Sequence, residues 1–193
     1  MSAARNLSVR STLRGLTNPR KVLLSGALCL ALFASQINAP DWTRLELTDA
    51  QTGRTIVAAT LRDGEPIVLM WRNSLFDLDV TEEFVTENGV LIQTAVTFAD
   101  PRGVPPPAVA PGDVDDLYHT GGAFSARGLR RPFTRIAYRV SEIGNPQMTI
   151  GARVIEFKRE VGFGGSIVLT TRAVNVAEAI VSVFAATILP QAR

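Results

Sequence analysis

The stretch VTEEFVTENGVLIQTAVTF, residues 80–98, decides the fold of this chain. Val80, Glu82, Phe84 and Thr86 fall on one face of an extended segment, and Thr81, Glu83 and Val85 fall on the other, which is the period of two that defines a strand. Asn88-Gly89 follows, a pair that tolerates the positive φ angles of a type I′ turn. The reading is therefore an antiparallel hairpin with Val80–Thr86 as one arm and Val90–Phe98 as the other. The adjacent acids Glu82 and Glu83 point to opposite faces of that arm. Whichever one points inward needs a partner, and Arg72 or Arg135 is expected to supply it.

Working outward, the same strand-and-turn grammar repeats. TRLELTD (43–49) alternates, AQTG interrupts, and RTIVAATL (54–61) resumes, giving two strands joined by a turn. Asp63-Gly64 opens another turn before PIVLMWR (66–72), an apolar strand expected to be buried on both faces. Further strands are expected in GAFSAR, FTRIAYRV, RVIEFKR and GSIVLTTRAV, separated by GLRRP, EIGNP and EVGFGG. Many short strands with Gly and Pro between them specify an all-β protein, a single antiparallel sandwich or barrel-like domain over residues 41–174. The segment ADPRGVPPPAVAPGDVDDLYHTGG (99–122) interrupts this pattern and reads as a long exposed loop without strand or helix, its Pro105-Pro106-Pro107 run favouring polyproline II.

The two ends read differently. Arg5, Arg10, Arg14, Arg20 and Lys21 precede any acid, and VLLSGALCLALFA follows as an apolar run of about 13 residues, so residues 1–40 read as an export signal or a retained N-terminal membrane anchor. Either form places the bulk of the chain outside the cytoplasm. At the other end, Asn175 and Glu178 have capping-box spacing, and VAEAIVSVFAATIL before Pro190 predicts a short apolar helix within 175–193, with a last buried strand as the alternative. A helix with so little polar surface needs cover from the domain or from lipid.

Composition excludes several functions. Removing the five leader cations from the formal +2 leaves −3 for residues 22–193, so no excess of cations points to nucleic acid. Arg127, Arg130, Arg131 and Arg135 form a local basic cluster, read as a solvated strand edge. The single cysteine, Cys29, lies in the leader, where lipidation is a minor alternative, and the rest of the chain therefore has neither a disulfide nor a thiolate metal site. No G-x-G-x-x-G or Walker sequence provides for a nucleotide, and no cofactor is expected.

Four stretches, LMWRNSLFDLDVTEEF, RGVPP, SARGLRRPFTRIAYRV and GFGGSIVLTT, together resemble the DUF1850 domain family of small exported proteins, over roughly residues 43–172. The order of elements carries the resemblance: an apolar strand ending in an aromatic and a polar pair, a Glu further on, a Gly-x-Pro element, then glycine-punctuated strands. The family's His is Asn73 here, while Ser74 and Glu82 match. The resemblance implies an extracytoplasmic accessory or binding domain neighbouring TRAP-type uptake systems, with the permease or its TAXI-type binding protein as partner. It also marks Asn73, Ser74, Glu82, Gly103 and Pro105 as the residues of a binding site.

The residues themselves allow a plainer role for that pair. Asn73 and Ser74 end a strand, where their side chains can bond the backbone and form a corner. The rival functional reading is an extracytoplasmic hydrolase or metal-dependent enzyme using Ser74, Glu82 and His119, although no nucleophile elbow surrounds Ser74. Asp113, Asp115 and Asp116 near His119 lack the spacing of a calcium loop and read as a solvated acidic segment.

Overall fold

The computed structural model describes residues 38–181, with side chains from Asp41 onward. The leader call and the far part of the C-terminal helix call, beyond residue 181, lie outside these residues. Ten strands form two antiparallel sheets. Strands β1 (Asn38–Asp49), β2 (Thr55–Arg62), β7 (Arg135–Arg139) and β10 (Ser166–Asn175) make one sheet in the order β2-β1-β10-β7. Strands β3 (Pro66–Asn73), β4 (Leu78–Glu87), β5 (Val90–Ala99), β6 (Phe124–Phe133), β8 (Gln147–Ile150) and β9 (Arg153–Glu156) make the other, in the order β6-β5-β4-β3-β8-β9. The domain is an all-β sandwich. The chain passes between sheets after β2, after β7, after β9 and at Thr134, whose carbonyl accepts from Thr171 N–H at 3.0 Å.

Alternation builds the shared core. Leu45 and Leu47 of β1 and Ile167 and Leu169 of β10 meet Ile67, Leu69 and Phe84 of the larger sheet, all fully or almost fully buried. The opposite faces of β1 and β4 carry mainly polar residues, Arg44, Glu46 and Thr48 on one and Asp79, Thr81 and Glu83 on the other, so these strands present one apolar side to the core. Strand β3 departs from its reading here: Ile67 and Leu69 are buried but Met70 is 49% exposed, so β3 is covered on one face only.

The larger sheet extends past the smaller one, and a helix covers the excess. Within the segment read as loop, a 3-10 turn (Pro111–Asp113) leads into α1 (Val114–Thr120), which corrects that reading. Proline occupies the first turn, where no N–H is needed, and Val114, Leu117 and Tyr118 share one face, at the spacing of a helix. They pack with Val80, Phe98 and Phe124 as a second core cluster. The proline run is tied down as well, since Ser125 N–H donates to Pro107 O at 2.8 Å and Val109 N–H to Ser125 O at 3.0 Å.

Two further segments differ from the sequence reading. GLRRP is not a break: β6 runs through it to Phe133, with Gly128 at φ +76 accommodating an irregular register opposite Thr94. Its arginines face solvent, where Arg130 pairs with Glu87 at 2.7 Å and Arg131 with Asp115 of α1 at 2.6 Å. The FKR of RVIEFKR is not strand but the start of α2 (Phe157–Val161), whose Phe157 is fully buried. Strand β8 has no counterpart in the sequence reading.

The hairpin of residues 80–98 forms with Glu87 opposite Val90 and with positive φ at both Asn88 (51°) and Gly89 (84°). Its tip is also a joint between the sheets. Gly89 N–H donates to the Thr43 hydroxyl at 2.9 Å, and that hydroxyl donates to Asp63 at 2.8 Å. The Asn88 N–H also donates to the Asp63 carboxylate. At the end of the described chain, 176–181 are helical. Asn175 Oδ1 accepts from Glu178 N–H at 2.9 Å while Glu178 bonds Arg172 at 2.8 Å, and the first turn packs Ala179 and Val176 against Trp42 and Val174.

Candidate functional site

Glu82 is the inward acid of β4, between Val80 and Phe84, each 1% exposed. Opposite, Trp71 continues the inward row of β3 after Ile67 and Leu69, and Tyr138 follows Ile136 on the inward side of β7. These three side chains meet at an open cavity of about 310 Å³ between the ends of β3, β4 and β7, bordered by Ser141, Gly144 and Pro146. Asn73 and Ser74 line the same space.

The interior here is unusually polar for a sandwich core. Burial pushes the Glu82 carboxyl up to about 7, partly opposed by its hydrogen bond with the Trp71 side chain. The Tyr138 hydroxyl is buried and makes no hydrogen bond to any described residue. Burial, with the Glu82 charge second, holds Tyr138 well above the ordinary tyrosine range. On the far side of Glu82, Tyr118 is pushed up to about 12, first by burial and then by Glu82, while a hydrogen bond with Gln93 opposes the shift. Gln93 is itself buried. Glu82, Gln93, Tyr118 and Tyr138 thus interrupt the apolar packing near Trp71, which touches both core clusters.

Neither expected partner of Glu82 pairs with it, which corrects that expectation. Arg72 points outward and binds Asp77 at 2.6 Å and Asp79 at 2.7 Å, because its position on β3 has the parity opposite to Trp71. Arg135 lies in the other sheet, in a groove with Arg44 and Glu46. The outward acid, Glu83, faces Arg127 at 3.8 Å, both partly exposed.

Asn73 forms the corner read from its residue type. Its Oδ1 accepts from Leu75 N–H at 2.9 Å and Phe76 N–H at 3.2 Å. Ser74 is exposed at the cavity mouth. The other candidates do not join them. Gly103 sits at φ +87 in an exposed turn closed on Asp100, and Pro105 is exposed beyond it, so neither lines the cavity. His119, on α1, is exposed with its Nδ1 2.7 Å from Asp115 O and is not among the residues lining the cavity. The Ser74, Glu82 and His119 set is therefore not assembled in one pocket. Among the described residues, no group of three or more His, Cys, Asp or Glu is placed to hold a metal, and no helix is long and apolar enough to cross a membrane.

Trp71, Gln93, Tyr118 and Tyr138 were not singled out from sequence. Alternation does put Trp71 and Tyr138 on inward faces, but their meeting depends on the pairing of β7 with β10, which no local signal encodes. The class that fold and site define is an all-β sandwich with a carboxyl-bearing cavity that opens to solvent. No family model matches the chain, and no curated protein or solved structure is significantly similar to it.

Proposed function

We propose that the protein is a non-enzymatic extracytoplasmic binding domain that serves a TRAP-type solute uptake system and is held at or near the membrane by its N-terminal segment. The observation that carries the binding half is the cavity, where, among the described residues, the half-buried Glu82 carboxyl has no ion-pair partner and the buried Tyr138 hydroxyl has no hydrogen-bond partner. Polar groups left unsatisfied in a core are costly, and a ligand that bonds them recovers the cost. The resemblance of residues 43–172 to the DUF1850 domain family supports the transport half and the extracytoplasmic location, with Ser74 and Glu82 as the matching positions. Asn73 in place of histidine removes the one titrating imidazole from that motif, which favours binding over acid–base catalysis.

The test is purification of the tagged full chain from its native membrane in mild detergent. Recovery of a TRAP permease or its TAXI-type binding protein is the expected result. Failure to recover either, with the domain intact, refutes the transport link.

A further inference from the structure

We propose that the cavity between β3, β4 and β7 receives a small organic cation, a primary or secondary amine on an apolar body, with the Glu82 carboxylate as counter-ion and the Trp71 and Tyr138 rings as walls. This rests on reading the cavity as a binding site and names the chemistry it selects.

Charge supplies the first reason. Glu82 is the acid lining the cavity; Arg72 lines it too, but its guanidinium is engaged by Asp77 and Asp79. Arg139 also lines the cavity but is exposed, so water screens it. An anionic ligand would bring a second negative charge next to the half-buried Glu82, whereas an ammonium supplies a counter-charge. The walls supply the second reason. Trp71 and Tyr138 present aromatic surface, whose negative faces attract cations. Tyr138 is braced by Phe157 at 5.7 Å and Trp71 by Phe98 at 6.1 Å, so the rings are held in place by neighbouring aromatic packing. The Tyr138 hydroxyl has lone pairs to accept an ammonium proton. Size supplies the third, because about 310 Å³ lies at the small end of ligand cavities.

The groups facing Glu82 also fix the pH dependence. They are Trp71 from β3, Gln93 from β5, Tyr118 from α1 and Tyr138 from β7, with Arg72 and Arg139 at the rim. Both tyrosines stay neutral through the physiological range, while Glu82 changes charge as pH rises through about 7. Amine binding therefore strengthens as pH rises through about 7.

The experiment is a titration of the full chain, ¹⁵N-labelled in detergent micelles, with phenethylamine, 2-phenylethanol and 3-phenylpropionate, following the indole resonance of Trp71 in a Trp42→Phe background. Phenethylamine is expected to move that resonance saturably at pH 8, with the alcohol and the acid binding at least tenfold more weakly. Lowering the pH to 5.5 is expected to weaken the amine roughly tenfold or more, and Glu82→Gln to do the same at pH 8. If the alcohol or the acid binds as tightly as the amine, or if affinity ignores pH in the wild type, the cation inference fails while the cavity remains a binding site. If none of the three moves the resonance, both fail. The wild-type pH series carries the test even where Glu82→Gln perturbs the fold.

Discussion

Replacing Gly89 by alanine should be among the most damaging small changes in the molecule. A Cβ on Gly89 would lie 2.2 Å from Ala173 N and 2.7 Å from Arg172 C, both backbone atoms of β10, where ordinary contact begins near 3.4 Å. The hairpin tip would have to lift by about 1 Å, which breaks the 2.9 Å bond from Gly89 N–H to Thr43 and disturbs the Asp63 cluster behind it. The left-handed φ of +84° adds strain for any residue with a side chain. The strain costs about 1–2 kcal/mol and the buried hydrogen bond about 1 kcal/mol more, before the lost packing against β10 is counted. A total of about 3–4 kcal/mol corresponds to a fall in Tm of roughly 10 °C for a domain of this size. Thermal unfolding of the full chain followed by circular dichroism measures it. Asn88→Gly is the control: Asn88 is exposed at φ 51°, so its change to glycine relieves the turn and should leave stability within about 1 kcal/mol. A Gly89→Ala protein that melts within about 2 °C of wild type would refute the account of the tip as a joint between the sheets.

The remaining predictions concern the site. Burial raises the Glu82 pKa in the folded state, from 4.5 to about 7, so the folded protein holds more protons than the unfolded chain across that window and loses stability as pH rises through it. Glu82→Gln should therefore match wild type near pH 4 and exceed it at pH 8, by at most about 3 kcal/mol, and equal stability at both pH values would contradict the burial of the charge. Asn73→Ala removes the acceptor for two turn N–H groups that water can partly serve, so urea unfolding should show a loss of about 1 kcal/mol. A loss above about 3 kcal/mol would mean that Asn73 does more than form the corner.

Legibility followed locality. The Asn88-Gly89 hairpin, the alternation of β1 and the capping of the C-terminal helix at Asn175 are encoded within a few residues, and each was readable for that reason. The helix α1 was missed because Pro and Gly dominate its surroundings, while the signal for it, Val114 with Leu117 and Tyr118, spans little more than one turn. Tertiary cover by Phe98 and Phe124 decides the outcome there, not propensity. GLRRP was misread on the same ground: its composition suggests a turn, but cross-strand partners Gln93 and Ile92 hold Arg131 and Pro132 in register. Proline sits on that strand because β6 is an edge of its sheet.

The site shows the same division at finer scale. Parity along β4 sends Glu82 inward with Val80 and Phe84, and parity along β3 sends Arg72 outward; together these two facts already deny Glu82 its nearest cation. A second route to neutralising it, through Arg135, would need β7 beside β4, but β7 pairs with β10 and presents Tyr138 instead. The core thus carries an acid whose charged form costs up to about 3 kcal/mol at pH 8, where glutamine would avoid the penalty. In a fold whose other inward positions on β4 are Leu78, Val80, Phe84 and Thr86, such a residue serves something other than stability. The cavity beside it, with an unbonded tyrosine hydroxyl on its opposite wall, gives that service a place.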